Sequence, residues 1–404
     1  MVSQKMICLS FRRILELGTR WVLCPLFHAI PGELSIVSPC MDELTPLDTA
    51  LATVIDDCTE CGNCVDQCAY LQRFGTPLAQ ARSFEAGSLT PETIYSCNVC
   101  SLCDVFCPEG LKLSEMFWLM RCRLVEEGRG PLKSHRRILN YEKIGLSDLF
   151  QLTAIPEGSE MVFFPGCALA GTRPQQTVRL FEMLRKDIPN LGIVLNCCTK
   201  PSHDLGRKDF FGDRFGDLIN DLKNSSIKTI VTACPSCHQI FSRYAEDFEN
   251  KTIYEVLAEH PSLTKIDQPL EMAVHDPCAT RFDSTVQQSV RDLGRAMGCT
   301  TVEMKHGRKK TFCCGEGGSA SFVAPDLTKT WGEKRRDEAG KKPVLTYCAG
   351  CVQFLSGPMD IYHIIDLLLE PEKTLAGKAP VSRSPFTYLN RLRLKYKLRR
   401  GHNT

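Results

Sequence analysis

Residues 234–241 read CPSCHQIF and residues 348–355 read CAGCVQFL, so one Cys-x2-Cys run returns after 114 residues. What stands around the two runs also returns. IYEVLAE (253–259) follows the first and IYHIIDLL (361–368) follows the second. Upstream, Cys167 and the adjacent pair Cys197–Cys198 match Cys278 and the pair Cys313–Cys314. The period is too long for a solenoid, so this is a duplicated domain. Each cysteine group follows a short apolar run: EMVFFPG before Cys167, GIVLN before Cys197, KTIVTA before Cys234, EMAVHDP before Cys278 and PVLTY before Cys348. TTVEM precedes Cys313 at a distance, across the basic loop KHGRKK (305–310). Amphipathic stretches such as TVRLFEMLRKD, FGDLINDLKN and SVRDLGRAMG separate these runs. Strand–helix alternation predicts parallel sheets. In such sheets ligands collect at the carboxyl ends of the strands. Each half is therefore expected to gather five thiols at one rim: Cys167, Cys197, Cys198, Cys234 and Cys237 in one, and Cys278, Cys313, Cys314, Cys348 and Cys351 in the other. Five is one more than a cubane or a tetrahedral zinc uses. The surplus suggests bridging between metals, with neighbouring cysteines on neighbouring irons.

Ahead of the duplication lie two further runs. Cys58, Cys61, Cys64 and Cys68 read C-x2-C-x2-C-x3-C; Cys97, Cys100, Cys103 and Cys107 read the same, with Pro108 after them. This is the spacing of a bacterial-type [4Fe–4S] site, in which the fourth cysteine serves the other cluster. One cluster is thus expected on Cys58, Cys61, Cys64 and Cys107, and a second on Cys97, Cys100, Cys103 and Cys68. Ala69 stands where a Pro commonly follows the first run. The long spacer between the runs holds PLAQARSFEAG and TPETIYSC, which read as helices, with Thr90 an N-cap before Pro91. SEMFWLMRCRLVEEG continues the helical pattern and puts Cys122 on its face.

Bulk composition agrees. The chain has 404 residues, 43% hydrophobic and 24% charged, with a net charge of +2. That is a soluble multidomain protein without a strongly charged partner for the chain as a whole. Its 23 cysteines exceed what a chain with ample core needs as staples, so metal or redox chemistry is the expected use. The leftover Cys8, Cys24, Cys40, Cys122 and Cys299 read as ordinary small residues. No long apolar run predicts a transmembrane helix. FRRILELGTRWVLCPLFHAI has arginines before an apolar run, but Pro25 interrupts it and no cleavage site follows. Residues 1–45 read as an extension, with Met41 a natural start for the helix ahead of Cys58.

The order Cys, Cys-Cys, Cys-x2-Cys at these intervals resembles the cysteine-rich domain of heterodisulfide reductase catalytic subunits. It is also similar to the iron–sulfur subunits of glycolate oxidase, lactate-utilisation systems and anaerobic glycerol-3-phosphate dehydrogenase. Two ferredoxin runs before two such domains resemble the single-chain form of heterodisulfide reductase. The resemblance implies a non-cubane [4Fe–4S] cluster on each five-cysteine set, with Cys278, Cys313, Cys314, Cys348 and Cys351 the catalytic group. It implies reduction of a disulfide-type substrate, with electrons from a flavoprotein, a cytochrome or a membrane quinone-linked subunit. The alternative it implies is an electron-transfer subunit of a flavin-dependent hydroxy-acid or glycerol-3-phosphate dehydrogenase complex, passing electrons to quinone. Gly315 follows the second pair as the family pattern requires, whereas Thr199 follows the first. The first site is therefore the one where a different cluster, or zinc, would stand.

The expected fold is α+α/β: an extension (1–45), a helical dicluster domain (46–155), two α/β cysteine-rich domains (156–262 and 263–372) and a basic tail (373–404). GEGGSA at Gly315 follows cysteines rather than a strand, so it reads as a cluster loop and not a nucleotide site. His203, His238 and His275 lie near cysteines as candidate proton donors. After Glu372 no acidic residue appears, and RSPFTYLNRLRLKYKLRRG suits an anionic membrane face or an acidic partner. No nucleic-acid-binding motif accompanies it. The expected location is the cytoplasm, peripheral at the inner face of the membrane.

Overall fold

The computed structural model describes residues 44–258, 265–266, 270–357 and 359–402. The extension, with Cys8, Cys24 and Cys40, lies outside the described residues apart from its last two positions. The dicluster region is helical. Thr45 and Asp48 form a capping box for the Pro46–Asp57 helix, and Thr90 caps Pro91–Tyr95 by accepting the Thr93 N–H at 3.3 Å. The Leu113–Glu126 helix buries Met116, Phe117, Met120 and Leu124 against Leu47, Leu51 and Tyr70, and Cys122 lies buried on it.

Two sheets follow. The first contains β1 (Leu152–Ala154), β2 (Met161–Phe164), β3 (Gly192–Leu195), β4 (Thr229–Thr232) and β5 (Glu249–Thr252), in the order β1-β3-β2-β4-β5. The second contains β6 (Leu270–His275), β7 (Cys299–Glu303), β8 (Val344–Thr346) and β9 (Ile361–His363), in the order β7-β6-β8-β9. Without β1 the orders are the same, as duplication requires. All pairs are parallel except β1–β3. The strands β2, β3, β4 and β8 read as unbroken apolar or β-branched runs because helices cover both faces. Phe163, Ile193 and Val231 point to one face with Leu180 and Phe181; Val162, Val194 and Ile230 point to the other with Phe215 and Leu218. The first of these cores also takes in Met272, Val290 and Leu345, so the two halves share it.

The repeat registers less simply than its sequence suggests. Thr232 pairs with Thr252, and its counterpart Thr346 pairs with His363. The residue matching Tyr254 is therefore Ile365, not Tyr362, and the common Ile-Tyr pair is out of step by three. The C-terminal segment read as a basic tail forms a helix, Phe386–His402. It buries Asn390, Arg391, Leu394, Lys395 and Leu398 at helical spacing, against the Cys167–Thr172 and Pro174–Asp187 helices and β1.

Candidate metal centres

The two dicluster loops share one backbone plan. Glu60 and Gly62 in the first, and Val99 and Ser101 in the second, hold positive φ (51°, 81°, 46° and 58°) on either side of the middle cysteine. A valine there is strained, by about 1–3 kcal/mol, and persists only where the surroundings dictate it. The plan turns the cysteines inward. Cys58, Cys61, Cys64 and Cys107 line one cavity, with Val65, Leu111 and Leu113. Cys68, Cys97, Cys100 and Cys103 line a second, with Tyr70, Phe117 and Trp331. The fourth cysteine of each run thus joins the other run's three. The first cavity opens at exposed Cys61; the second lies deeper. Burial raises the Cys64 thiol to about 11 and the Cys97 thiol to about 12, so a bare thiolate is disfavoured at each of these two. Four inward sulfurs in an apolar pocket suit a soft, cationic, thiolate-bound group, and the donor set fits an iron–sulfur cube.

At the carboxyl ends of the sheets the other ten cysteines gather in two groups. In one, Cys167 touches Cys197, while Cys237 touches both Cys198 and Cys234. In the other, Cys313 touches Cys278 and Cys314, and Cys351 touches Cys314 and Cys348. Among the described residues no three cysteine, histidine or carboxylate side chains converge on a point that would hold a single ion. Gly166 (φ 76°) has no room for a side chain: a Cβ would fall 2.7 Å from that of Cys234 and 3.2 Å from the Cys237 sulfur. Gly315 (φ 97°) points its N–H at the Cys313 sulfur at 3.3 Å, a contact of the kind that tunes a cluster. Thr199, its counterpart, also holds a left-handed backbone (φ 54°), and its hydroxyl is buried without a partner.

The second dicluster cavity and the second cysteine-rich group adjoin, since Asn98 donates to the carbonyls of Gly315 and Gly317 and Arg281 donates to that of Cys100. The neighbouring Cys313 thiol, with the Arg281 cation nearby, brings the Cys100 thiol down to about 6 against the effect of burial. In the first group, contact with Cys197 likewise brings Cys167 down to about 6 against burial, helped by Arg391. Arg391 lines a cavity with Phe150, Gly166, Cys167 and Asn196. Glu316 stands between the two groups with its side chain exposed, and the surrounding protein with the sulfurs of Cys314 and Cys234 pushes its carboxyl up.

The candidate histidines part company. His203 bridges Asp204 (2.9 Å) and the partly exposed Tyr244 (2.8 Å). His238 pairs with Asp283 at 2.9 Å, and His275, fully buried, sits against Cys314. Several residues carry no sequence signal because their partners are remote. Asn98 donates to the carbonyls of Gly315 (3.2 Å) and Gly317 (3.0 Å) and accepts from Trp331 Nε1 (2.9 Å). Arg281 donates to the Cys100 carbonyl at 2.8 Å. Arg121 donates to carbonyls of all three domains: Cys97, Asp204 (2.7 Å) and Gly318 (2.8 Å).

This layout places the chain among proteins that join a dicluster ferredoxin domain to paired cysteine-rich domains. Residues 54–111 match the 4Fe-4S dicluster domain, and residues 161–242 and 272–356 match the cysteine-rich domain. It is an iron–sulfur electron-transfer protein, related to heterodisulfide reductase and glycolate oxidase subunits. It is 26% identical to a fumarate reductase (CoM/CoB) subunit from Methanothermobacter marburgensis, over 81% of this chain and 74% of that one. It is 24% identical to a dihydromethanophenazine:CoB–CoM heterodisulfide reductase subunit from Methanosarcina barkeri, over 82% and 98%. To the glycolate oxidase iron–sulfur subunit of Escherichia coli it is 19% identical, over 78% and 94%.

Proposed function

We propose that this chain reduces a disulfide-type substrate with electrons relayed through its dicluster domain, in the manner of a heterodisulfide reductase. The observation that carries the reading is the Asn98 side chain, whose bonds to the Gly315 and Gly317 carbonyls set the second dicluster loop against the second cysteine-rich group. The four centres then form a file. The set Cys58, Cys61, Cys64 and Cys107 is outermost, and Cys68, Cys97, Cys100 and Cys103 come next. The group of Cys278, Cys313, Cys314, Cys348 and Cys351 follows, and that of Cys167, Cys197, Cys198, Cys234 and Cys237 is last. Iron–sulfur clusters bound at these cysteines supply one-electron redox steps. The chain's own residues hold the sulfurs, keep the inner sites apolar and leave Cys61 at the surface to meet a donor. The reaction breaks one S–S bond, takes two electrons from a flavoprotein, cytochrome or quinone-linked partner and two protons from water, and releases two thiols.

A second reading makes the chain an electron-transfer subunit of a flavin-dependent dehydrogenase complex. Thr199 favours it, since a threonine holds the strained backbone where the second group has glycine. The helix Phe386–His402 also supports a peripheral site at an anionic membrane. Its outer face exposes Phe386, Leu389 and Tyr396 among Arg393, Lys397 and Arg399, a pairing that suits an anionic interface. Among the described residues no helix is long and apolar enough to cross a membrane.

The test is purification without oxygen followed by disulfide reduction with reduced viologen as donor. The dicluster domain alone should bring about eight irons per chain. Replacing Cys313 and Cys314 by Ala should abolish turnover; turnover that survives refutes the assigned centre. A flavoprotein that co-purifies, with no disulfide turnover, establishes the second reading instead.

A further inference from the structure

Tyr254 stands at the start of the helix after β5 and is fully buried. Its hydroxyl lies 2.8 Å from the carbonyl of Ala233 and 2.6 Å from that of Tyr347, so its one proton is shared between them. Ala233 directly precedes Cys234, and Tyr347 directly precedes Cys348. One phenol therefore ties the Cys-x2-Cys loop of the first group to that of the second. The rings of Tyr254 and Tyr347 pack edge to face, with centroids 5.4 Å apart. The Tyr347 hydroxyl continues the stitch to Thr280 (2.8 Å) and Asp276 (3.1 Å), two residues to either side of Cys278. The second half offers no reciprocal bond, because its matching residue is Ile365.

We infer that Tyr254 is a positioning residue that fixes the separation of the two cysteine-rich centres and so sets the coupling between them. The inference rests on the reading above, that both groups carry clusters. Rotation of either half about the shared core would move the two Cys-x2-Cys loops apart. The shared hydrogen bond opposes that motion at the loops themselves, where a small shift changes the spacing most directly. Tyr254→Phe keeps the ring and its packing and removes only the bridge, leaving two buried carbonyls without their donor.

The experiment uses the full chain, purified without oxygen, with Tyr254→Phe and Tyr362→Phe as the pair. Tyr362 belongs to the same Ile-Tyr sequence but lies in β9, away from the bridge. Iron content and the magnetic splitting between the two centres on stepwise reduction are measured for each. The expected result is a splitting in the parent, retained by Tyr362→Phe, and lost or collapsed in Tyr254→Phe at full iron content. Parent-like splitting in Tyr254→Phe overturns the positioning role alone. No splitting in the parent, with iron accounted for by the dicluster cavities, overturns the reading of paired clusters and the inference with it. If Tyr254→Phe loses iron, 4-aminophenylalanine at position 254, which restores a donor at the tip of the ring, replaces it. Recovery of both iron and parent-like splitting supports the bridge, and anything less overturns it.

Discussion

Replacing Arg121 should loosen the whole assembly rather than one domain. The guanidinium is completely buried and donates to the carbonyls of Cys97, Asp204 and Gly318, with longer bonds to Ile94 (3.3 Å) and Tyr95 (3.3 Å). These acceptors belong to the second dicluster loop, the first cysteine-rich half and the loop after Gly315. Each charge-assisted bond contributes about 1.5–3 kcal/mol net. The three close ones set an upper figure of about 9 kcal/mol. Removing the cation also removes its desolvation cost, so Arg121→Met should lose about 3–5 kcal/mol, a large share of the 5–15 kcal/mol usual for a folded domain. Arg121→Lys should recover only part, since one ammonium cannot span acceptors arrayed around a planar fork. Anaerobic urea unfolding should show the midpoint lowered by on the order of 1 M. Hydrogen exchange should rise together at residues 94–97 and 318. A Met variant within about 1 kcal/mol of the parent, with exchange unchanged at those loops, would refute the reasoning.

Thr199→Gly should stabilise the loaded protein by about 1 kcal/mol, because it relieves a β-branched residue at φ 54° and removes a buried, unpartnered hydroxyl; a lower thermal midpoint would contradict this. Gly315→Ala should cost about 2–3 kcal/mol, since its Cβ would meet Thr328 Cγ2 at 2.5 Å, and Thr328→Ser should restore part of the thermal midpoint. Asp366→Asn leaves Arg173 buried without its carboxylate, a pair now 2.7 Å apart and 1% and 4% exposed, and should lower stability in urea by about 3–5 kcal/mol. Reversing Arg393 and Lys397 to Glu should abolish sedimentation with phosphatidylserine vesicles, and the parent should release as salt rises; parent-like sedimentation of the reversed protein would exclude the membrane face.

The cysteine intervals carried most of what was legible. Their spacing separates the dicluster runs from the paired sets, and the apolar runs ahead of Cys167, Cys197, Cys234, Cys278 and Cys348 became the strands that deliver them. Local chemistry was enough there, because a strand buried on both faces advertises itself. The edges were harder to read. β5 is Glu-Asn-Lys-Thr and partly exposed, and β1 and β9 have three residues each, so none carries an apolar period. The C-terminal helix misled for a different reason. Its basic residues include Arg391 and Lys395, which are buried, and Lys395 is satisfied by the Leu149 carbonyl at 3.2 Å, a partner invisible from sequence. Asn98, Arg121 and Tyr254 are likewise defined by contacts with distant backbone carbonyls, which no local pattern encodes.

Arg391 lines the cavity beside Cys167, more than two hundred residues before it. A ribosome releases the dicluster cysteines long before it reaches that arginine. The dicluster loops can therefore form on a nascent chain, whereas the cavity beside Cys167 stays open along one wall until residue 391 has been made. A chain truncated before the Phe386–His402 helix would keep its dicluster loops while leaving that cavity uncovered.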